Sequence, residues 1–235
     1  MSDARDRLIV ALDVSSAAAA REIVAAVGDS ASTYKVGMQL FTAEGPQVVR
    51  ELVGSGRRVF LDLKYHDIPS TVGAAVREAA ELGVNMLTVH AAGGSKMLRA
   101  AADAGREGLT VLAVTVLTSF DQAELESVGV ASALPEQVLK LATLAVASGC
   151  QGIVSSAREA PALRRKLGNG FALVTPGVRP AGSETQDQAR VVTPAAAIAA
   201  GASHIVVGRP ITGAANPAAA AAAILAEISA SFVCA

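Results

Sequence analysis

Acidic and basic side chains crowd the segment Asp62-Leu63-Lys64-Tyr65-His66-Asp67-Ile68-Pro69, which directly follows the run Arg58-Val59-Phe60-Leu61. Side chains two apart on a strand point the same way, so Asp62 and Lys64 are expected to share a face, and Asp67 adds a second negative group just beyond. Two like charges about 4 Å apart near a protein surface repel by roughly 4 kcal/mol, a penalty that a purely structural strand end has no reason to carry. The bland alternative is a solvated ion pair, but such pairs usually sit on helix faces rather than where a Val-Phe-Leu run stops. The pattern therefore predicts a charged functional site at the exit of a buried strand.

Other polar groups stand at similar places. Lys35, in Tyr34-Lys35-Val36-Gly37, ends a run whose neighbours are apolar, so it needs acids nearby. Asp13 and Asp62, on the runs before and after it, would supply them and give an alternating Asp-Lys-Asp-Lys array. Gly208-Arg209-Pro210-Ile211-Thr212 reads as a phosphate grip: the glycine admits close approach to backbone N–H groups, and the guanidinium is a planar fork for phosphate oxygens. The long polar stretch from Pro176 to Arg190, with Arg179 near its start, would complete that corner. Against this, Arg209 would merely bridge two loops. Thr118 is the better candidate to read a ligand's polar edge, whereas Ser119 serves equally well as a helix cap. His90 ends another run and is expected to be a structural hydrogen-bonder. His66 and His204 have no obvious partner.

Eight short β-branched runs position these groups: Leu8 to Val14, Tyr34 to Met38, Val59 to Leu63, Met86 to Val89, Leu109 to Leu117, Gly152 to Val154, Phe171 to Val174 and His204 to Val207. Alanine-rich stretches with apolar residues three and four apart lie between them, such as Val72, Val76, Ala79 and Ala80, or Leu134, Val138, Leu141 and Leu144. Strands apolar on both faces and alternating with helices predict a covered parallel sheet, and eight such units in 235 residues predict one (β/α)8 TIM-barrel domain spanning residues 1–235. In such a barrel the active site forms where strands end. An open doubly wound sheet would want a Gly-rich turn after the first strand, where Asp13-Val14-Ser15-Ser16 stands instead.

A net charge of -1 and a pI near 6.3 lack the basic excess that nucleic acid or an anionic membrane would attract. Two cysteines, Cys150 and Cys234, form neither a disulfide framework nor a metal-ligand spacing, which fits a reducing cytoplasm. The apolar run Leu8 to Leu12 is too short for a signal peptide, and Ala218 to Leu225 too short to span a bilayer.

Taken together, Asp62-x-Lys64-x-x-Asp67-Ile68-Pro69, Leu12-Asp13-Val14, Lys35-Val36-Gly37, Val116-Leu117-Thr118-Ser119, Pro176-Gly177-Val178-Arg179-Pro180, Asp187-Gln188 and Val207-Gly208-Arg209-Pro210-Ile211 resemble the orotidine 5'-monophosphate decarboxylase family along essentially the full chain. The resemblance implies loss of CO2 from carbon 6 of orotidylate to leave UMP, with neither metal nor organic cofactor. It makes Lys64 the proton donor, flanked by Asp62 and by Asp67 from the second subunit of a homodimer, with Lys35 completing the array. Asp13 and Lys35 would hold the ribose, and Thr118 the pyrimidine edge. Gln188, Gly208 and Arg209, with Arg179 nearby, would hold the phosphate, and Ile68, Pro69 and Thr71 would line the site. From the residues alone Asp67 is harder to place: five extended residues span roughly 16 Å from Asp62, so either the chain turns back to bring it to Lys64 or it serves a neighbouring subunit's site.

Two rivals follow from the same residues. Magnesium-dependent relatives, 3-keto-L-gulonate 6-phosphate decarboxylase and hexulose-phosphate synthase, share a similar Asp-x-Lys-x-x-Asp stretch. They place an acid at the end of strand two, where this chain has Lys35, which would repel a cation. The other is a non-catalytic phosphate-binding barrel, against which an intact Lys64 and two acids argue.

Overall fold

A computed structural model describes residues 4–105, 107–180 and 192–231. Eight parallel strands close a barrel in chain order: β1 Leu8–Ala11, β2 Thr33–Gly37, β3 Arg58–Tyr65, β4 Met86–His90, β5 Thr110–Val114, β6 Gly152–Val154, β7 Ala172–Thr175 and β8 His204–Val207. β8 pairs back onto β1 through Leu8↔Ile205 and Val10↔Val207, which rules out the open sheet. Each predicted run overlaps a strand, although β1 and β5 stop three residues early and β3 runs two residues further. Val116 and Leu117 are apolar for another reason: they line a cavity beyond the end of the ladder.

Local chemistry sets where the helices begin. Ser16 accepts the Ala19 N–H at 3.2 Å and starts the helix Ala17–Val27, and Pro69 takes the first position of Pro69–Glu81, where a missing N–H removes nothing. That helix buries Val72, Val76 and Ala79, and Leu134–Ala147 buries Leu134, Val138 and Leu141, as their spacing requires. The Ala-rich run near the C-terminus lies in the helix Pro217–Ser231, and no helix among the described residues is long and apolar enough to cross a membrane.

Two layers of core result. Alternate strand residues Leu8, Val10, Tyr34, Val36, Val59 and Leu61 pack outward against the helices, each such buried aliphatic side chain contributing about 1.5–3 kcal/mol. Ile9, Phe60, Met86, Leu112, Val174 and Val206 form a second cluster that fills the barrel. Gly152 lets β6 join this interior, because a Cβ there would lie 2.7 Å from the Ala172 carbonyl oxygen. With the barrel plugged by apolar side chains, the charged groups Asp13, Lys35, Asp62 and Lys64 gather towards the carboxyl-end mouth.

Candidate active site

The first three strands bring together the four residues expected to alternate in charge. Lys35 Nζ lies 2.7 Å from Asp13 Oδ1 and 3.8 Å from Asp62 Oδ2, while Lys64 Nζ lies 2.9 Å from Asp62 Oδ1. The registers Ala11↔Lys35 and Gly37↔Asp62 place these side chains on the barrel's inner face. The Lys35 side chain is only 11% exposed and that of Asp62 15%, so each depends on its neighbours for compensation. Gly37, which sequence reading passed over, makes room for the first pair: a Cβ on it would stand 3.0 Å from Lys35 Nζ and 3.2 Å from Asp13 Oδ1.

Asp62 and Lys64 meet, but not through plain strand alternation. The β3–β4 ladder runs through Leu61↔Leu87 and resumes at Tyr65↔Val89, so β3 carries two extra residues and Asp62, Leu63 and Lys64 all face Thr88. Within this bulge Lys64 takes φ 52°, alone among the described non-glycine residues in having a positive φ. Such a conformation costs roughly 1–2 kcal/mol and is held only where the surroundings impose it. Here the Lys64 N–H donates to Thr88 Oγ1 at 2.9 Å, and the Thr88 hydroxyl donates to Asp62 Oδ1 at 2.9 Å. Nothing in Met86-Leu87-Thr88-Val89 distinguishes this threonine from an ordinary strand residue.

Two adjoining cavities open beside the array. The larger, of about 440 Å³, has Asp13, Lys35, Arg179, Gly208 and Arg209 on its walls. The smaller, of about 150 Å³, is lined by Phe60, Val114, Val116 and Val154 together with Lys64 and Thr118. Lys35, Asp62, Pro176 and Val206 line both. Arg179 is buried, and its N–H donates to the Val192 carbonyl at 3.0 Å, tying the two ends of the seventh loop together. Gln188 lies outside the described residues.

The remaining expected site residues stand apart within this chain. Asp67, Ile68 and Thr71 are exposed, Pro69 is partly buried, and none of them lines either cavity. Asp67 Oδ1 accepts the Ile68 N–H at 2.6 Å, and among the described residues no ion pair joins Asp67 to Lys64. Ser119 caps no helix; Asp121 does so, accepting the Glu124 N–H at 2.9 Å.

His90 accepts the Ala92 N–H at 3.3 Å and stacks on His66 with ring centroids 5.3 Å apart, a partnership the sequence did not disclose. Burial, then His66 and the Lys64 ammonium, hold the His90 imidazole below its ordinary pKa, so it stands neutral beside the array. Among the described residues no group of three or more His, Cys, Asp or Glu side chains is placed to hold a metal ion.

A closed barrel of eight parallel strands with its ionisable groups gathered at the carboxyl ends defines the class of (β/α)8-barrel enzymes. Within that class the chain belongs to the orotidine 5'-phosphate decarboxylase / HUMPS family, whose model matches residues 6–224. It is 57% identical over 227 residues to an orotidine 5'-phosphate decarboxylase of Halorhodospira halophila, covering 95% of this chain and 96% of the relative. An orotidine 5'-phosphate decarboxylase of Moorella thermoacetica is 51% identical over 234 residues, covering 96% and 93%. The crystal structure of orotidine 5'-phosphate decarboxylase from Lactobacillus acidophilus superposes with a TM-score of 0.85 at 40% identity, over 94% of this chain and 98% of that one.

Proposed function

We propose that this chain decarboxylates orotidine 5'-monophosphate to UMP and CO2, the last step of de novo pyrimidine nucleotide synthesis. The observation that carries the reading is the unbroken contact chain Asp13–Lys35–Asp62–Lys64 at the junction of the two cavities. The larger cavity suits a ribose phosphate: Asp13 and Lys35 take the ribose, while Gly208, Arg209 and Arg179, with Gln188, take the phosphate. The smaller, with Phe60, Val114, Val116 and Val154 beside Lys64 and Thr118, suits a flat pyrimidine whose polar edge is read by the Thr118 hydroxyl.

The bond from carbon 6 to the carboxylate breaks, CO2 departs, and the electron pair stays in an in-plane orbital with little delocalisation. Lys64 supplies a preorganised ammonium at that point, then gives its proton to carbon 6 and is reprotonated from solvent. Asp62 aims the ammonium through its 2.9 Å contact. Asp67, exposed and joined by no ion pair to its own chain's lysine among the described residues, serves the site of a second copy in a homodimer, whose contacts also bring Ile68, Pro69 and Thr71 to the pocket. The cytoplasm is the compartment that suits this biosynthetic step.

No cofactor is required on this reading. A magnesium ion at the end of β2 would meet the Lys35 ammonium already seated between Asp13 and Asp62, which weighs against the metal-dependent, enediolate-forming alternative. The test is to mix the protein with orotidylate in excess EDTA and follow the loss of pyrimidine absorbance. Unchanged turnover is expected. Inertness towards orotidylate would refute the proposal and favour a binding barrel, whereas turnover that EDTA abolishes would restore the metal.

A further inference from the structure

We infer that Thr88 is a positioning residue whose hydroxyl holds Asp62 and Lys64 in register with each other; this rests on the roles proposed for that pair. In a regular parallel ladder the backbone of β3 would find its partners on the backbone of β4. The two extra residues between Leu61 and Tyr65 break that arrangement and leave Thr88 opposite all of Asp62, Leu63 and Lys64. Its side chain takes the place of the missing ladder. Oγ1 accepts the Lys64 N–H at 2.9 Å and donates to Asp62 Oδ1 at 2.9 Å, the same oxygen that receives the Lys64 ammonium at 2.9 Å. The contacts close a ring: Lys64 backbone, Thr88 hydroxyl, Asp62 carboxylate, Lys64 side chain.

The direction of each hydrogen bond follows from the groups themselves. An ionised carboxylate only accepts and a backbone N–H only donates, so the hydroxyl proton must lie on the Asp62 side. Few side chains both accept and donate through one short-tethered atom, and a β-branched one is also restricted at χ1. Thr88 has no exposed surface, so water cannot stand in for it. It also remains paired to β5 through Thr88↔Leu112, which anchors the hydroxyl to the regular part of the sheet. The left-handed turn at Lys64 and the aim of Asp62 are thus set by one atom. Thr88 lines neither cavity, so its loss should leave substrate binding alone and strike the chemical step.

The test compares the intact chain with Thr88→Val, which keeps the shape without the hydroxyl, and Thr88→Ser, which keeps the hydroxyl. Thr88→Val should lower kcat by about 10- to 100-fold, the usual range for a lost hydrogen bond to a charged group, with KM for orotidylate and Kd for UMP within about threefold. Thr88→Ser should recover kcat to within about fivefold of wild type. If Thr88→Val does not fold, Thr88→Ala is read in the same way. Unchanged kcat, a loss confined to KM, or a serine variant as impaired as valine would overturn the inference. If the unmodified chain leaves orotidylate untouched, the decarboxylase reading fails instead. Crystal structures then decide the inference alone: Lys64 Nζ and Asp62 Oδ1 separating in Thr88→Val but not in Thr88→Ser upholds it, and an unaltered contact in both rejects it.

Discussion

His204, the first residue of β8, lies at the barrel end opposite the charged mouth and gives a stability prediction independent of function. Burial first, then the Arg58 and Arg7 guanidiniums, push its pKa from 6.5 down to about 4, with Asp6 opposing them. Its Nδ1 is buried and finds no hydrogen-bond partner among the described residues. The unfolded chain therefore takes up a proton on His204 as pH drops through about 6.5, whereas the folded chain does so only near 4. The contribution is fully present above the unfolded value and is lost as pH falls towards the folded one. Between about pH 7.5 and pH 5, the two pKa values imply a loss of about 2 kcal/mol from this residue alone. Urea titrations of wild type and His204→Gln at both pH values isolate it, because other histidines, His90 included, titrate in both proteins. With a slope of roughly 3 kcal/mol per molar urea, the midpoint of wild type should fall by about 0.7 M more than that of the variant. Equal falls in the two proteins would refute the assignment of a neutral, proton-resisting His204.

The site yields three more predictions. Gly37→Ala should part Lys35 from Asp13 and lower turnover by about tenfold or more, since a buried ammonium loses its shortest contact; wild-type kinetics would show that the space beside Gly37 is not needed. Arg209→Ala should weaken UMP binding by about 10- to 100-fold in equilibrium titrations, as expected for loss of a charge-assisted phosphate contact, and an unchanged Kd would move the phosphate elsewhere. Inactive Lys64→Ala and Asp67→Ala chains, mixed under conditions of proven exchange, should regain activity because a mixed dimer holds one intact site; no recovery would count against a shared Asp67.

Strand positions were legible in the sequence because burial on both faces leaves a dense apolar signature, and the same density marked the polar residues at their ends. The array followed from strand order: Asp13 lies just past β1, Lys35 on β2 and Asp62 on β3, and a closed barrel in chain order makes those strands neighbours. The bulge was not legible, because two extra residues in β3 can be counted only against β4. Thr88 and Gly37 escaped for related reasons. One is an ordinary strand former whose hydroxyl matters only opposite that bulge, and the other matters for a hydrogen atom where any side chain would intrude. The His66–His90 stack joins two strand ends that the sequence separates by more than a helix.

Register explains why the array is all or none. A slip of one residue in β2 would turn Lys35 towards the helices and Val36 into the mouth, leaving an ammonium in an apolar layer. In place, the four groups alternate in sign and sum to zero within one chain, so Lys35 and Asp62, the two most buried, are each matched by neighbours of opposite charge. On the proposed reading the substrate's carboxylate then arrives as an unmatched negative charge beside Asp62, while the phosphate far from it supplies the attraction that holds the nucleotide in place. Departure of CO2 moves that charge onto carbon 6, next to the one ammonium whose position is fixed by both its backbone and its side chain. On that same reading, preorganisation of Lys64 through the bulge, rather than the mere presence of a lysine, would be what the barrel contributes to the difficult step.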